Sequence, residues 1–232
     1  MCASKLRPRL TAKVRKDAIA RAALPVFARN GLHGVTTREL AKACGVSEAL
    51  IFRHFPTKEA LFNQMLHQYS DLIMPRGEHV DELPPPSTGT LVQLVFTFVR
   101  RVIIREPKKG RDMLHFFYRS YTEDGKFARQ FLRGVRNIRE GFERSLLAAR
   151  ESGDALPLAT EPYNLFWFVQ HIATAACMMR LPENPPVRYR GTIESAVDDM
   201  VLFVLRGMGV TDAALRKYAT PEAFSGWRQQ SG

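Results

Sequence analysis

Arg38, Glu48, Ala49 and Arg53 lie close together in the chain and are residue types that can read the edges of base pairs. A guanidinium can bond guanine O6 and N7 together, a carboxylate can accept from a cytosine amine, and a methyl side chain can touch a thymine methyl. The plainer reading of both arginines is a surface ion pair, worth about 0–1 kcal/mol, against about 1–3 kcal/mol of discrimination for a bidentate base contact. Lys58 has an unusual place for a structural residue. It falls in the first turn of a predicted helix, where the helix dipole disfavours a cation. A phosphate held against that helix start would account for it.

The elements that would hold these side chains are legible around them. Thr36 can cap a helix, and Glu39 three residues on completes a capping box. Leu40, Ala41 and Cys44 give that helix an inward face, and Gly45 follows where a left-handed residue is easily placed. Val46 fills the gap between helices, Ser47 caps a second helix, and Leu50, Ile51 and Phe55 continue the apolar side. Upstream, Ile19, Ala22, Ala23, Val26 and Phe27 form an apolar stripe that ends at Asn30-Gly31. Downstream, Thr57 starts a fourth helix with Leu61, Phe62, Met65 and Leu66 inward. Two short helices joined by a glycine-containing turn make a helix-turn-helix unit, whose use is to lay its second helix in the DNA major groove. An ordinary helical hairpin within an all-α core would show the same pattern.

The residues from Ile19 to Leu61, with the run TTRELAKACGVSEALIFRHFPTKEAL at their centre, resemble the DNA-binding domain of the TetR family of bacterial transcriptional regulators. The resemblance implies an all-α fold: an N-terminal three-helix helix-turn-helix domain and a C-terminal helical domain for effector binding and dimerisation. It implies a non-enzymatic protein without a cofactor. It places a base contact at Arg38 and phosphate contacts at Thr37, Ser47, His54 and Lys58. Together with Glu48, Ala49, Phe52 and Arg53 these are the candidate DNA-binding residues. Phe52 departs from the family, which most often has Tyr there. The ring can still pack, but a hydroxyl that would bond a phosphate is missing. Pro25 inside the first helix is also unusual, and it should kink that helix by removing the bond to the Arg21 carbonyl.

The formal charge of the 232 residues is +11, and it is uneven. Residues 1–68 hold twelve Lys and Arg against four Asp and Glu, so +8 of the excess lies there. A basic end that coincides with a helix-turn-helix fits phosphate binding through counterion release. Cys2, Cys44 and Cys177 are far apart and have no metal-ligand spacing, which reads as reduced thiols in a cytoplasmic protein. No signal-peptide pattern is present. The most apolar run, Leu165 to Met179, is shorter than the roughly 20 residues of a membrane span. No glycine-rich phosphate loop, HExxH, G-x-S-x-G or metal cluster appears.

The expected organisation is a basic arm over 1–10, the helix-turn-helix domain over 11–56, a connecting helix over 57–74 and the effector and dimerisation domain over 75–232. The arm could track a phosphate backbone or be an inert tail. A loop is expected from Pro75 to Ser87. In the second domain a helix rich in Leu, Val and Phe from Leu91 to Ile103 should be central. A short helix from about Arg111 to Tyr121 and long ones over about 125–152, 161–180 and 189–208 should follow. The last two are the expected dimer interface, as the resemblance implies. Phe96, Phe116, Phe117, Tyr121, Phe131, Trp167 and His171 are the pocket candidates, with His115, Arg119 and Gln170 as further polar groups. The expected function is a dimeric, sequence-specific repressor released from a palindromic operator by a lipophilic or aromatic effector, with an anionic group as an optional feature. The alternatives are a DNA-binding architectural protein without an effector, and an all-α lipid carrier.

Overall fold

The computed structural model describes residues 11–73, 83–104, 114–115, 117–121 and 125–230. The basic arm and most of the loop expected after Pro75 lie outside the described residues. The chain forms two compact units, Met1–Pro75 with Lys109–Phe131 and Arg76–Lys108 with Leu132–Gly232. Residues 109–131, assigned from sequence to the second domain, group with the first.

The first unit is built on α1 (Ala12–Asn30), α2 (Thr37–Cys44), α3 (Glu48–His54) and α4 (Lys58–Ile73). Thr11 caps α1 by accepting from the Val14 amide, and the helix continues through Pro25 to Asn30. α1 packs on α2 and α4. Ile19, Ala20, Ala23, Leu24 and Phe27 meet Leu40, Ile51, Phe55, Leu61 and Met65 in its buried core. The Phe27 ring stands edge-on to Phe62, with centroids 5.0 Å apart. Each large side chain buried here contributes about 1.5–3 kcal/mol, which is what fixes such short helices. The described residues between 114 and 121 are helical. From that stretch Arg119 Nη1 donates to the Arg29 carbonyl at 2.7 Å, placing a cation on the last turn of α1.

In the second unit α5 (Thr88–Ile103) is central, as its all-round apolar sequence requires. Leu91, Val92, Val95, Phe96 and Val99 are at most 1 % exposed. α7 (Arg136–Glu151), α8 (Pro162–Met179), α9 (Ile193–Gly207), α10 (Asp212–Tyr218) and α11 (Pro221–Gln230) pack around it. Phe96 stacks on Phe224 at 4.6 Å and tilts against Trp227 at 5.6 Å. Phe166 bridges Phe98 and Phe142 at 5.5 Å each.

Three sequence expectations change. The helix expected over 125–152 is two helices, α6 (Lys126–Arg133) and α7, with turn residues at Gly134 and Val135. The helix expected from Tyr189 begins at Ile193, where the Thr192 hydroxyl caps it by accepting from the Ser195 amide. α10 and α11 were not foreseen. Among the described residues the sole β feature is an isolated antiparallel bridge between Ala155 and Val210. The Leu156 amide donates to the Gly209 carbonyl at 2.8 Å there. Gly209 has φ +88°, and a Cβ on it would lie 2.9 Å from the Leu156 carbonyl oxygen, so the turn admits only glycine without strain.

Candidate nucleic-acid interface

The capping box of α2 is formed in full. The Glu39 amide donates to Thr36 Oγ1 at 3.2 Å, and the Thr36 amide donates to Glu39 Oε2 at 2.8 Å. These bonds, the Thr36 amide first and its hydroxyl second, hold the Glu39 carboxyl below the usual carboxylate range. Gly45 closes α2 in the left-handed region at φ 64°, ψ 34°, and the next amide, of Val46, reaches back to the Ala41 carbonyl at 3.0 Å. Ser47 then caps α3, accepting from the Leu50 amide at 3.2 Å. Ile51 and Phe55 anchor α3 at 2 % and 1 % exposure. Cys44 takes no part in the outer surface. Its half-buried thiol donates to the Ile19 carbonyl, and burial pushes it up to about 11.

With the inner side of α3 fixed in this way, its outer side carries the predicted residues. Ser47, Glu48, Ala49, Phe52 and Arg53 are all exposed, Phe52 at 49 %. Arg38, second in α2, is exposed as well, and Thr37 before it is half-buried. Among the described residues neither Arg38 nor Arg53 has an ion-pair partner, so the surface salt-bridge reading of these two has no support. His54 and Lys58 are half-buried. Lys58 Nζ donates to the Val35 carbonyl at 2.8 Å, which ties the start of α4 to the loop before α2. An ammonium has three donors, so two remain for a phosphate. The Ser47 hydroxyl likewise accepts as a cap and keeps its own proton to donate.

The described pocket candidates are divided between the two units. Phe117 and Tyr121 belong to the first unit, ring edge on ring face at 4.9 Å. Phe96, Trp167 and His171 belong to the second. Phe96 is consumed in the packing against α11, whereas Trp167 and His171 stack at 6.5 Å with His171 exposed. Phe116 and the Phe131 side chain lie outside the described residues. His115 is exposed, and Arg119 is engaged at the end of α1. Gln170 alone among the polar candidates is buried, at 3 % exposure. Its amide donates to Thr174 Oγ1 at 2.8 Å, while its Oε1 has no partner among the described residues. Among the described residues no cluster of His, Cys, Asp or Glu could hold a metal ion, and no helix is long and apolar enough to cross a membrane.

Fold and surface together define an all-α protein with a helix-turn-helix unit and a separate helical unit. The family model for bacterial regulatory proteins of the tetR family matches residues 19–65, which span α2, α3 and parts of α1 and α4. The transcriptional regulator RutR of Escherichia coli K12 is 40 % identical over 58 residues, 25 % of this chain and 27 % of RutR. The chain thus spans about a quarter of that relative's length. The nucleoid occlusion factor SlmA of Vibrio campbellii is 30 % identical over 158 residues, 60 % of this chain and 78 % of SlmA. The crystal structure of AibR with isovaleryl coenzyme A and operator DNA superposes with a TM-score of 0.60 at 18 % identity, covering 82 % of this chain and 97 % of AibR. The chain belongs to the TetR family of bacterial regulatory proteins.

Proposed function

We propose that the protein is a dimeric, sequence-specific DNA-binding regulator of transcription, a repressor that a small lipophilic or aromatic effector releases from its operator. The outer face of α3 carries this reading. Glu48, Ala49, Phe52 and Arg53 stand in solvent on a helix anchored from behind by Ile51, and Arg38 stands unpaired among the described residues. The charge excess of residues 1–68 supports it through phosphate attraction. In this reading Thr37, Ser47, His54 and Lys58 hold phosphates and set register.

One helix-turn-helix reads few base pairs, so specific binding calls for a two-fold pair with half-sites about 34–36 Å apart. The outer faces of α8 and α9 support such a pair. Phe168 is 53 %, Ile172 36 % and Phe203 67 % exposed, an apolar surface that a second copy would cover. For the effector, the support is the buried Gln170 carbonyl oxygen, which has no partner among the described residues. AibR, similar in fold, is seen with an acyl coenzyme A. An effector releases DNA only through different affinities for the two states of the protein.

The likeness to a nucleoid occlusion factor favours a second reading, a DNA-binding protein with no small-molecule effector. Selection from a randomised DNA library at about 150 mM salt, where non-specific binding is weak, tests the first reading. A palindromic consensus is expected, and no enrichment refutes the regulator. A thermal-shift series with medium-chain fatty acids, acyl coenzyme A and aromatic acids separates the two readings. Stabilisation together with loss of operator binding supports the repressor, and no shift with any of them favours the second reading.

A further inference from the structure

The outer face of α3 has an apolar centre. At about 100° per residue, Glu48, Phe52, Ala49 and Arg53 follow one another around the helix in that order over an arc of about 140°. All four are exposed. Ala49 and Phe52 therefore occupy the middle of the face, with a carboxylate on one flank and a guanidinium on the other. A half-exposed aromatic ring is an unusual choice for the centre of a surface that meets only water. The inward side of α3 already has its packing residues in Ile51 and the half-buried Leu50, so Phe52 is not needed there.

The apolar group on the floor of the major groove is the thymine 5-methyl, and apolar side chains are what contact it. We infer that Phe52, with Ala49 beside it, reads a thymine 5-methyl group, so that each half-site carries a base pair selected by its methyl and not by its hydrogen-bonding edge. The inference rests on the regulator reading above and adds to it the chemistry of one recognised base. Glu48 and Arg53 lie where a cytosine amine and a guanine edge or phosphate on either side of that thymine would be met. It also accounts for Phe at this position. A ring without a hydroxyl brings no polar group to be stranded against a methyl.

The test uses the full chain and the duplex enriched from the randomised library. Each thymine is replaced in turn by deoxyuridine, which removes the methyl and leaves the pairing and the hydrogen-bonding groups of the groove unchanged. The wild type should lose about fourfold in affinity at one symmetric position, and about sixteenfold when both half-sites are changed, the equivalent of ~0.8 kcal/mol per methyl. Phe52→Ala should bind the thymine and deoxyuridine duplexes equally, with an unchanged circular dichroism spectrum and melting curve. A wild type indifferent to every deoxyuridine overturns the inference and leaves the regulator intact. A Phe52→Ala variant that keeps the methyl preference overturns it too, because another side chain then reads the methyl. A wild type that enriches no sequence overturns the regulator reading and this inference with it.

Discussion

Replacing Arg38 by Ala separates base reading from every structural role this residue could have. Arg38 is exposed, sits in the first turn of α2 and has no ion-pair partner among the described residues. Its removal should leave stability within about 0.5 kcal/mol, as for surface substitutions generally. Alanine is the stronger helix former, and a cation leaves the positive end of a helix, so any small change should be a gain. The effect on DNA is of another size. A bidentate guanine contact is worth about 1–3 kcal/mol of discrimination, so two half-sites lose about 2–6 kcal/mol. That is at least about thirtyfold in affinity for the preferred operator. Fluorescence anisotropy on the enriched duplex, and on one with the contacted base pair exchanged in both half-sites, measures it. The wild type should discriminate between the two, and Arg38→Ala should bind them alike. A variant that weakens equally on both, with the salt slope reduced by about 1 per site, would make Arg38 a phosphate contact and refute the assignment. A melting temperature several degrees lower would refute the premise that the side chain is structurally idle.

Thr36→Ala removes the acceptor of the Glu39 amide and one partner of its carboxylate, and should cost about 1 kcal/mol in denaturant unfolding. The depressed Glu39 carboxyl gives that cap a pH dependence. Its contribution is present above the ordinary value of 4.5 and is lost as pH falls through the lower folded value. The stability gap between wild type and Glu39→Gln should therefore shrink as the pH falls from neutrality through and below 4.5, and a gap that widens on acidification would contradict the assigned bonds. Phe203→Glu places a charge on the most exposed large apolar side chain of α9 and should yield a monomer by light scattering. An unchanged dimer would remove α9 from the interface. With its thiol at about 11, Cys44 is almost wholly protonated at pH 8, about one part in a thousand thiolate. Iodoacetamide should label it only on unfolding, and peptide mass spectrometry of the folded protein checks this.

The N-terminal unit was legible because each of its boundaries is a local chemical event. Thr36 and Glu39 form the box their spacing announces, Gly45 takes the left-handed conformation, and Ser47 caps α3. Local signals of this kind need no knowledge of tertiary partners. The core followed from the same spacing, and α5 is as central as its sequence implied. Lys58 was placed on the correct helix, but its bond to the Val35 carbonyl joins residues 23 apart and nothing in the sequence announces it. The same holds for Arg119, which sequence reading offered to a pocket and the fold spends on the Arg29 carbonyl.

The misread helices have a different cause. Between Lys126 and Glu151 the apolar spacing runs on through Val135, Phe142 and Leu146, all buried, so periodicity alone describes one long helix. The signal against it was Gly134, which costs about 1 kcal/mol inside a helix and stands at the break. α10 and α11 also carried signals that periodicity hides, because each is too short to show a stripe. Thr211 and Thr220 cap them by accepting from Ala214 and Ala223. Thr220-Pro221-Glu222 has a cap, a proline at the first helical position and an acid in the first turn. Missing α11 had a functional cost. Phe224 and Trp227 are the rings against which Phe96 packs, so a residue that read as a pocket wall is a core residue whose partners lay 128 and more positions away. The exposure of a residue such as Phe52 follows from the packing of its own short helix, whereas a buried aromatic can be offered to a pocket only after every helix that might fill the space has been found.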